Sequence, residues 1–159
     1  MEPRAGEETP TRLRAMPSRT LSMAAAHAQR LVSEGLTGAE ARKYHYALLA
    51  ALEEFGPGSQ AALSGRTGIY RSDLVATINE LTDRRFVERA ADPADRRRNV
   101  ITITPQGRRH LHQLDVLLAA VQDDLLAPLS AAERDDLMRL LGRLNDHHAR
   151  RDPSGEDSA

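Results

Sequence analysis

Arginine carries nearly all the positive charge of this chain. Lys43 is the only lysine, so 21 of the 22 basic residues end in a guanidinium, a planar fork that pairs with phosphate or carboxylate through two parallel hydrogen bonds. The arginines are unevenly placed. Between Ser64 and Arg109 there are ten against six carboxylates, a net of +4; between Leu111 and Asp146 there are three against seven, a net of −4. A formal net charge of −1 that divides this way points to a polyanion-binding module beside a part with a different task. The densest cluster, Arg96-Arg97-Arg98, follows Asp92-Pro93-Ala94-Asp95. Alone such a run is a solvated surface; on a tight turn it becomes a probe for a narrow, electronegative groove.

Other chemistries find little support. The sequence has no cysteine, which removes disulfides, thiolate zinc sites and cysteine redox sensing. His110 and His112 are two residues apart and His147 and His148 are adjacent, spacings that turn the rings to different faces of a helix, so no metal site is expected. No glycine-rich phosphate loop or nucleophile elbow occurs, and neither a catalytic site nor a cofactor is expected. His27 and His45 lie on helices that should face each other. With Arg19 and Tyr44 they offer a fork for a carboxylate and partners for a phenolic hydroxyl, and a small aromatic or phenolic acid is the ligand these four residues suggest.

The elements that must position these groups are mainly helical. Pro17 opens a first helix to about Glu34, with Leu21, Ala24, Ala28, Leu31 and Val32 as its apolar stripe. Thr37-Gly38-Ala39-Glu40 reads as a capping box for a second helix, whose expected buried face is Tyr44, Ala47, Leu48, Ala51, Leu52 and Phe55, stopped by Gly56-Pro57. Ser59 caps a short helix expected to end at Ser64-Gly65, and a turn at Arg66–Ile69 leads into a longer helix from about Tyr70 to Asp83. Short helix, glycine-bearing turn and longer helix form a helix-turn-helix. Phe86–Arg89 and Asn99–Ile103 read as two strands joined by the Asp92–Arg98 turn, which adds a wing. Thr104-Pro105 then starts a long helix to about Leu126 carrying a heptad seam of Leu111, Leu114, Leu118, Val121 and Leu125. After Pro128, the capping box Ser130–Glu133 opens a last helix with the stripe Leu137, Leu140, Leu141 and Leu144.

At 159 residues, 40% hydrophobic and 28% charged, the chain has the profile of one soluble globular domain. No apolar run approaches the ~18–20 residues of a membrane span, the N-terminus is too polar for a signal peptide, and a cytoplasmic protein without membrane contact is expected. Residues 1–11 and 151–159, rich in Pro, Glu, Ser and Asp, read as disordered tails.

The stretch from Ser59 to Gly107 resembles the MarR family of bacterial transcription regulators. Asp92-Pro-Ala-Asp95-Arg-Arg97-Arg-Asn-Val-Ile-Thr-Ile-Thr104-Pro-Gln-Gly107 is similar to the family's wing signature, an Asp-x-Arg tip, a strand and a Thr-Pro-x-Gly helix start, and Leu81–Arg89 is similar to the segment before it. The resemblance implies a mainly α fold with a small β-hairpin wing. Residues 12–56 would be N-terminal helices for dimerisation and ligand binding, 57–104 a winged helix-turn-helix lobe, and 105–150 C-terminal dimerisation helices. It also implies a homodimeric repressor on a palindromic double-stranded DNA operator, released by a small ligand. The DNA-facing set is then Ser59, Gln60, Arg66, Tyr70, Arg71, Ser72, Asp73, Thr77, Asp95, Arg96, Arg97 and Arg98, with Asp95 holding Arg97 extended. Where relatives often carry a Ser cap and a basic mid-helix residue, this chain has Tyr70 and Ala76. Base contacts therefore fall to Arg71, Ser72, Asp73, Thr77 or Asn79. A winged helix that docks proteins without ligand control is the alternative, and the arginine-rich wing disfavours it.

Overall fold

The computed structural model describes residues 9–151, which form seven helices and three strands. Residues 1–8 and 152–159 of the expected tails lie outside this range, and Thr11, assigned to the first tail, instead opens a short helix α1, Thr11–Arg14. Helix α2 spans Pro17–Thr37 and α3 Lys43–Phe55. Next come β1 (Gly58–Ser59), α4 (Gln60–Thr67), α5 (Arg71–Asp83), β2 (Val87–Ala91), β3 (Asn99–Ile103), α6 (Pro105–Leu125) and α7 (Ala131–Ala149). The chain divides into two compact units, Met1–Val121 and Gln122–Ala159. The division falls inside α6 rather than at either side of the lobe, because Leu111 and Leu114 of α6 are buried in the first unit.

The expected start of the second helix is not at Thr37. That residue is the last of α2, its hydroxyl donating to Ser33 O at 2.8 Å, so it caps nothing downstream. The turn that follows takes Glu40 to φ +52°. The real start signal is His45, three residues inside the new helix, whose Nδ1 accepts the backbone N–H of extended Arg42 at 3.2 Å. Phe55, expected in the core, is exposed, and Leu49 is buried in its stead. Helix α4 runs past Ser64-Gly65 to Thr67 and is stopped by left-handed Gly68, whose N–H returns to Ser64 O.

The core of the first unit is aliphatic. Leu48, Leu49 and Leu52 of α3 pack with Leu63 of α4, Leu74, Ile78 and Leu81 of α5, Ile101 and Ile103 of β3 and Leu111 of α6. The sheet is antiparallel in the order β1-β3-β2. Its third strand, absent from the expectation, is the two-residue β1, pairing Gly58 with Ile101 and Ser59 with Val100. The hairpin aligns Val87 with Ile103 and Ala91 with Asn99. Alternation along β3 turns Ile101 and Ile103 inward.

The Thr-Pro-x-Gly start of α6 has a steric and hydrogen-bonding reason. Thr104 Oγ1 donates to Arg85 O at 2.7 Å and accepts from Gly107 N at 2.9 Å. A Cβ at Gly107 would lie 2.1 Å from Phe86 O, so only glycine lets the helix approach the hairpin this closely. In the second unit, Ser130 and Glu133 cap α7 reciprocally, at 3.2 and 2.9 Å.

Candidate nucleic-acid interface

Helix α5 is anchored by Leu74, Ile78 and Leu81, all fully buried, and this phase turns Tyr70, Arg71, Ser72, Asp73, Ala76 and Asn79 to the exterior. Tyr70, the residue before the helix, is 80% exposed. Thr77 departs from the expectation. It is buried at 4% exposure, and its hydroxyl donates to Asp73 O at 2.7 Å, so it cannot reach a base. Asn79 Oδ1 accepts from the Arg89 guanidinium of β2, which ties the exposed face of α5 to the hairpin.

Two more of the expected DNA-facing residues are partly committed elsewhere. The Ser59 hydroxyl accepts Ala62 N at 3.2 Å and caps α4. The Arg66 guanidinium stacks over the Phe55 ring, 5.5 Å from its centre, which also accounts for an exposed phenylalanine. Gln60 is half-buried at the first position of α4.

The wing turn is built by its own polar atoms. Asp92 N donates to Arg98 O at 2.8 Å, Ala94 N to Asp92 Oδ1 at 2.9 Å, and Arg97 N to Asp95 Oδ1 at 3.1 Å. Asp95 therefore holds Arg97 by its main chain, while its side-chain ion pair, at 3.8 Å, is with Arg98. The tight turn brings the side chain of residue i+3, not that of i+2, alongside the carboxylate. Arg96 and Arg97 are exposed, and among the described residues neither has an acidic partner.

The four expected ligand residues do not converge. Arg19 and His27 share a groove of about 420 Å³ with Leu13 and Met23. Tyr44 packs against the lobe core beneath Lys43 Nζ, 5.0 Å from its ring centre. His45 is buried, and its Nε2 lies 2.5 Å from Glu80 Oε2 of α5. Since Nδ1 accepts from Arg42 N, the neutral ring with its proton on Nε2 satisfies both partners. The His45 hydrogen bond, joined by the charge of Arg42 at 2.7 Å, holds the Glu80 carboxyl below the usual carboxylate range. Arg42 and Glu80 escaped the sequence reading; the one available signal was the three-residue spacing from Arg42 to His45, a capping spacing with an unusual acceptor.

The expected dimerisation residues also separate. Leu111 and Leu114 are consumed by the core of their own chain, whereas Leu118, Val121 and Leu125 are half-buried. On α7, Leu137 and Leu141 are half-buried and Leu140 and Leu144 exposed. The histidines of α6 serve the fold: His112 pairs with Glu53 at 2.9 Å, and His110 stacks on Phe86 at 4.2 Å.

A helix-turn-helix followed by a hairpin whose tip bears unpaired arginines defines a winged helix-turn-helix protein. Comparison makes the class particular. Residues 34–98 match the sequence model of the MarR family. A probable transcriptional regulator from Pseudomonas aeruginosa is 30% identical, with a TM-score of 0.74 over 83% of this chain and 98% of that one. The PcaV transcriptional regulator of Streptomyces coelicolor, solved with its natural ligand, is 27% identical, with a TM-score of 0.71 over 87% of this chain and 97% of that one. A putative transcriptional regulatory protein for the hcr operon of Thauera aromatica is 37% identical over 89 residues, 55% of this chain and 54% of that one. The matches span 54% and 64% of the length of the curated relatives. The chain belongs to the MarR family, a family of transcription regulators and not of enzymes.

Proposed function

We propose that this protein is a sequence-specific DNA-binding repressor, acting as a homodimer on a palindromic operator and released by a small aromatic or anionic ligand. The observation that carries the DNA reading is the wing tip. Arg96 and Arg97 are exposed without an acidic partner among the described residues, on the same compact unit as the exposed first turn of α5. An unpaired guanidinium on a narrow turn suits the minor groove, whose negative potential deepens as it narrows. The exposure of Arg71, Ser72 and Asp73 at the start of α5 supports their role as the residues that meet base edges in the major groove. Two such lobes in a symmetric dimer read half-sites about one helical turn, ~10 bp, apart. Repression follows where that palindrome overlaps a promoter.

Ligand release is supported by PcaV, which was solved with a natural ligand, and by the Arg19–His27 groove. There Arg19 offers a carboxylate two parallel bonds and His27 a partner for a hydroxyl. Fluorescence anisotropy on promoter fragments tests the whole reading. Affinity is expected to fall on the order of a thousandfold between 50 and 200 mM salt through counterion release, and a hydroxybenzoate panel is expected to dissociate the complex in wild type but not in Arg19→Ala. Binding that ignores salt, or release unaltered by the substitution, refutes the corresponding half.

A further inference from the structure

The root of the wing is packed and its outer half is not. Val87 of β2 and Ile101 and Ile103 of β3 are buried, and β1 pairs with β3 at Ile101 and Val100. On the other side β2 is an outer edge of the sheet, with Glu88, Arg89, Ala90 and Ala91 all exposed. From Ala90 to Asn99 no residue is buried. Among the described residues, one side-chain hydrogen bond joins the segment 88–99 to a helix: the Arg89 guanidinium donates to Asn79 Oδ1 of α5. Arg89 stands opposite Ile101 in the hairpin register. The link therefore lies at the level where burial ends, and it clamps the edge that β1 does not reach.

A guanidinium offers donors only, so the Asn79 atom that faces it is the carbonyl oxygen. Asparagine reads adenine by using that oxygen and its amide together, as a bidentate pair. With Oδ1 engaged by Arg89, Asn79 cannot form the pair, although it lies on the exposed face of α5. Its role is mechanical instead. The link fixes the angle between α5, whose first turn bears Arg71, and the hairpin, whose tip bears Arg96 and Arg97. In the DNA reading these two ends enter neighbouring grooves, so their angle decides how far apart along the duplex the two contacts fall. We propose that Asn79 is a positioning residue which, through Arg89, sets the spacing demanded between the bases met by α5 and the narrow minor groove met by the wing. The effect on operator choice rests on the DNA-binding reading; the effect on the hairpin does not.

Backbone order parameters of the full chain without DNA read the hairpin directly. In Asn79→Ala those of Ala90, Ala91 and Asn99 are expected to fall from the rigid value of about 0.85 toward about 0.6, with α5 unchanged. Arg89→Met is expected to do the same, and Asn79→Asp, which keeps the acceptor, to retain the wild-type values. Melting curves establish that each variant is folded. The second arm is fluorescence anisotropy on an operator selected from random duplexes, and on two derivatives whose A-tract flanks are moved one base pair toward or away from the half-sites. Wild type is expected to bind both derivatives about tenfold more weakly, and Asn79→Ala to discriminate by about twofold only. Its salt slope stays that of wild type, because no charge is removed. Asn79→Asp adds a charge that weakens all three duplexes alike and keeps the discrimination. Hairpin order unaltered in both Asn79→Ala and Arg89→Met overturns the brace; a salt slope reduced by about one in Arg89→Met would then make Arg89 a phosphate contact instead. A loosened hairpin with full spacing discrimination, or lost preference at a single base pair with spacing intact, overturns the positioning role. A chain that binds no duplex defeats the DNA reading, and the order parameters still decide the brace.

Discussion

Arg97 and His110 show how differently a single side chain can be used in one fold. Arg97 is held by its backbone to Asp95, and its guanidinium has no acidic partner among the described residues. Arg97→Ala is therefore expected to leave the melting temperature unchanged while weakening operator binding and relaxing the preference for a narrow minor groove; anisotropy on operators with A-tract and G·C-rich flanks reads both. His110 is the opposite case. It is stacked on Phe86, 8% exposed, and its Nε2 has no hydrogen-bond partner among the described residues. Burial, aided by the positive charge of Arg84, pushes its imidazole below the ordinary value of 6.5. The unfolded chain then takes up a proton more readily than the folded one, so this contribution to stability is full above about pH 6.5 and is lost as pH falls through the lower, folded value. Glu80, also depressed, adds its own loss further into acid, through the carboxylate range. His110→Phe keeps an aromatic ring on Phe86 and removes both the proton and the unsatisfied nitrogen. The variant is expected to flatten the fall in melting temperature just below pH 6.5 while leaving the steeper acid limb; an unchanged pH profile would show that His110 does not set it.

Glycines separate the elements that are packed from those that are merely present. A Cβ at Gly107 would meet Phe86 O at 2.1 Å, whereas at Gly65, on the exposed face of α4, it would meet nothing within 4 Å. Gly107→Ala is expected to destabilise by about 1–3 kcal/mol through overpacking, and Gly65→Ala to stabilise by about 1 kcal/mol through helix propensity. Urea denaturation of the two variants side by side checks the pair of opposite signs. The same contrast explains what the sequence could and could not disclose. Helices α5, α6 and α7 were legible because apolar spacing and caps agree, as at Thr104-Pro105 and Ser130–Glu133. The wing was legible because Phe86-Val87 and the β-branched run Val100–Ile103 flank a turn. Strand β1 was not, since Gly58-Ser59 is too short to have a pattern and is a strand only because Ile101 and Val100 offer it an edge. The start of α3 misled because Thr37 and Glu40 have the right spacing for a cap, yet the threonine had a nearer acceptor in Ser33. The ligand set misled for a related reason. Helical phase shows that Arg19 and His27 share α2 and that Tyr44 and His45 share α3, but not that His45 turns inward to Glu80, a partner 35 residues away.

For the whole molecule the unresolved demand is apolar surface. No residue of α7 is buried within the chain, and Met138, Leu140 and Leu144 are 65, 48 and 48% exposed. Val116 on α6 and Leu21 and Met23 on α2 are exposed as well. Apolar area returns about 25 cal/mol per Å² when it leaves water, and a helix this apolar on one side has little else to stabilise it. A second copy of the chain is the occupant that the proposed palindromic operator requires, because a two-fold DNA site is matched by a two-fold protein. Leu111 and Leu114 cannot contribute, being buried within their own chain, Leu111 in the lobe core and Leu114 against Leu36 and Ala41, so the proposed interface shifts toward the later residues Leu118, Val121 and Leu125 together with the α7 stripe. That shift yields two distinguishable variants. Leu114→Glu places a charge in the buried cluster with Leu36 and Ala41 of its own chain and is expected to unfold the first unit at any concentration. Leu140→Glu touches only exposed surface and is expected to leave the lobe folded, with its circular dichroism retained, while light scattering reports monomer. Operator affinity in that variant should fall by far more than the loss of one contact explains, because two half-sites are no longer engaged together. A Leu140→Glu protein that remains dimeric and binds the operator as wild type does would remove α7 from the interface and return the question to α2 and α6.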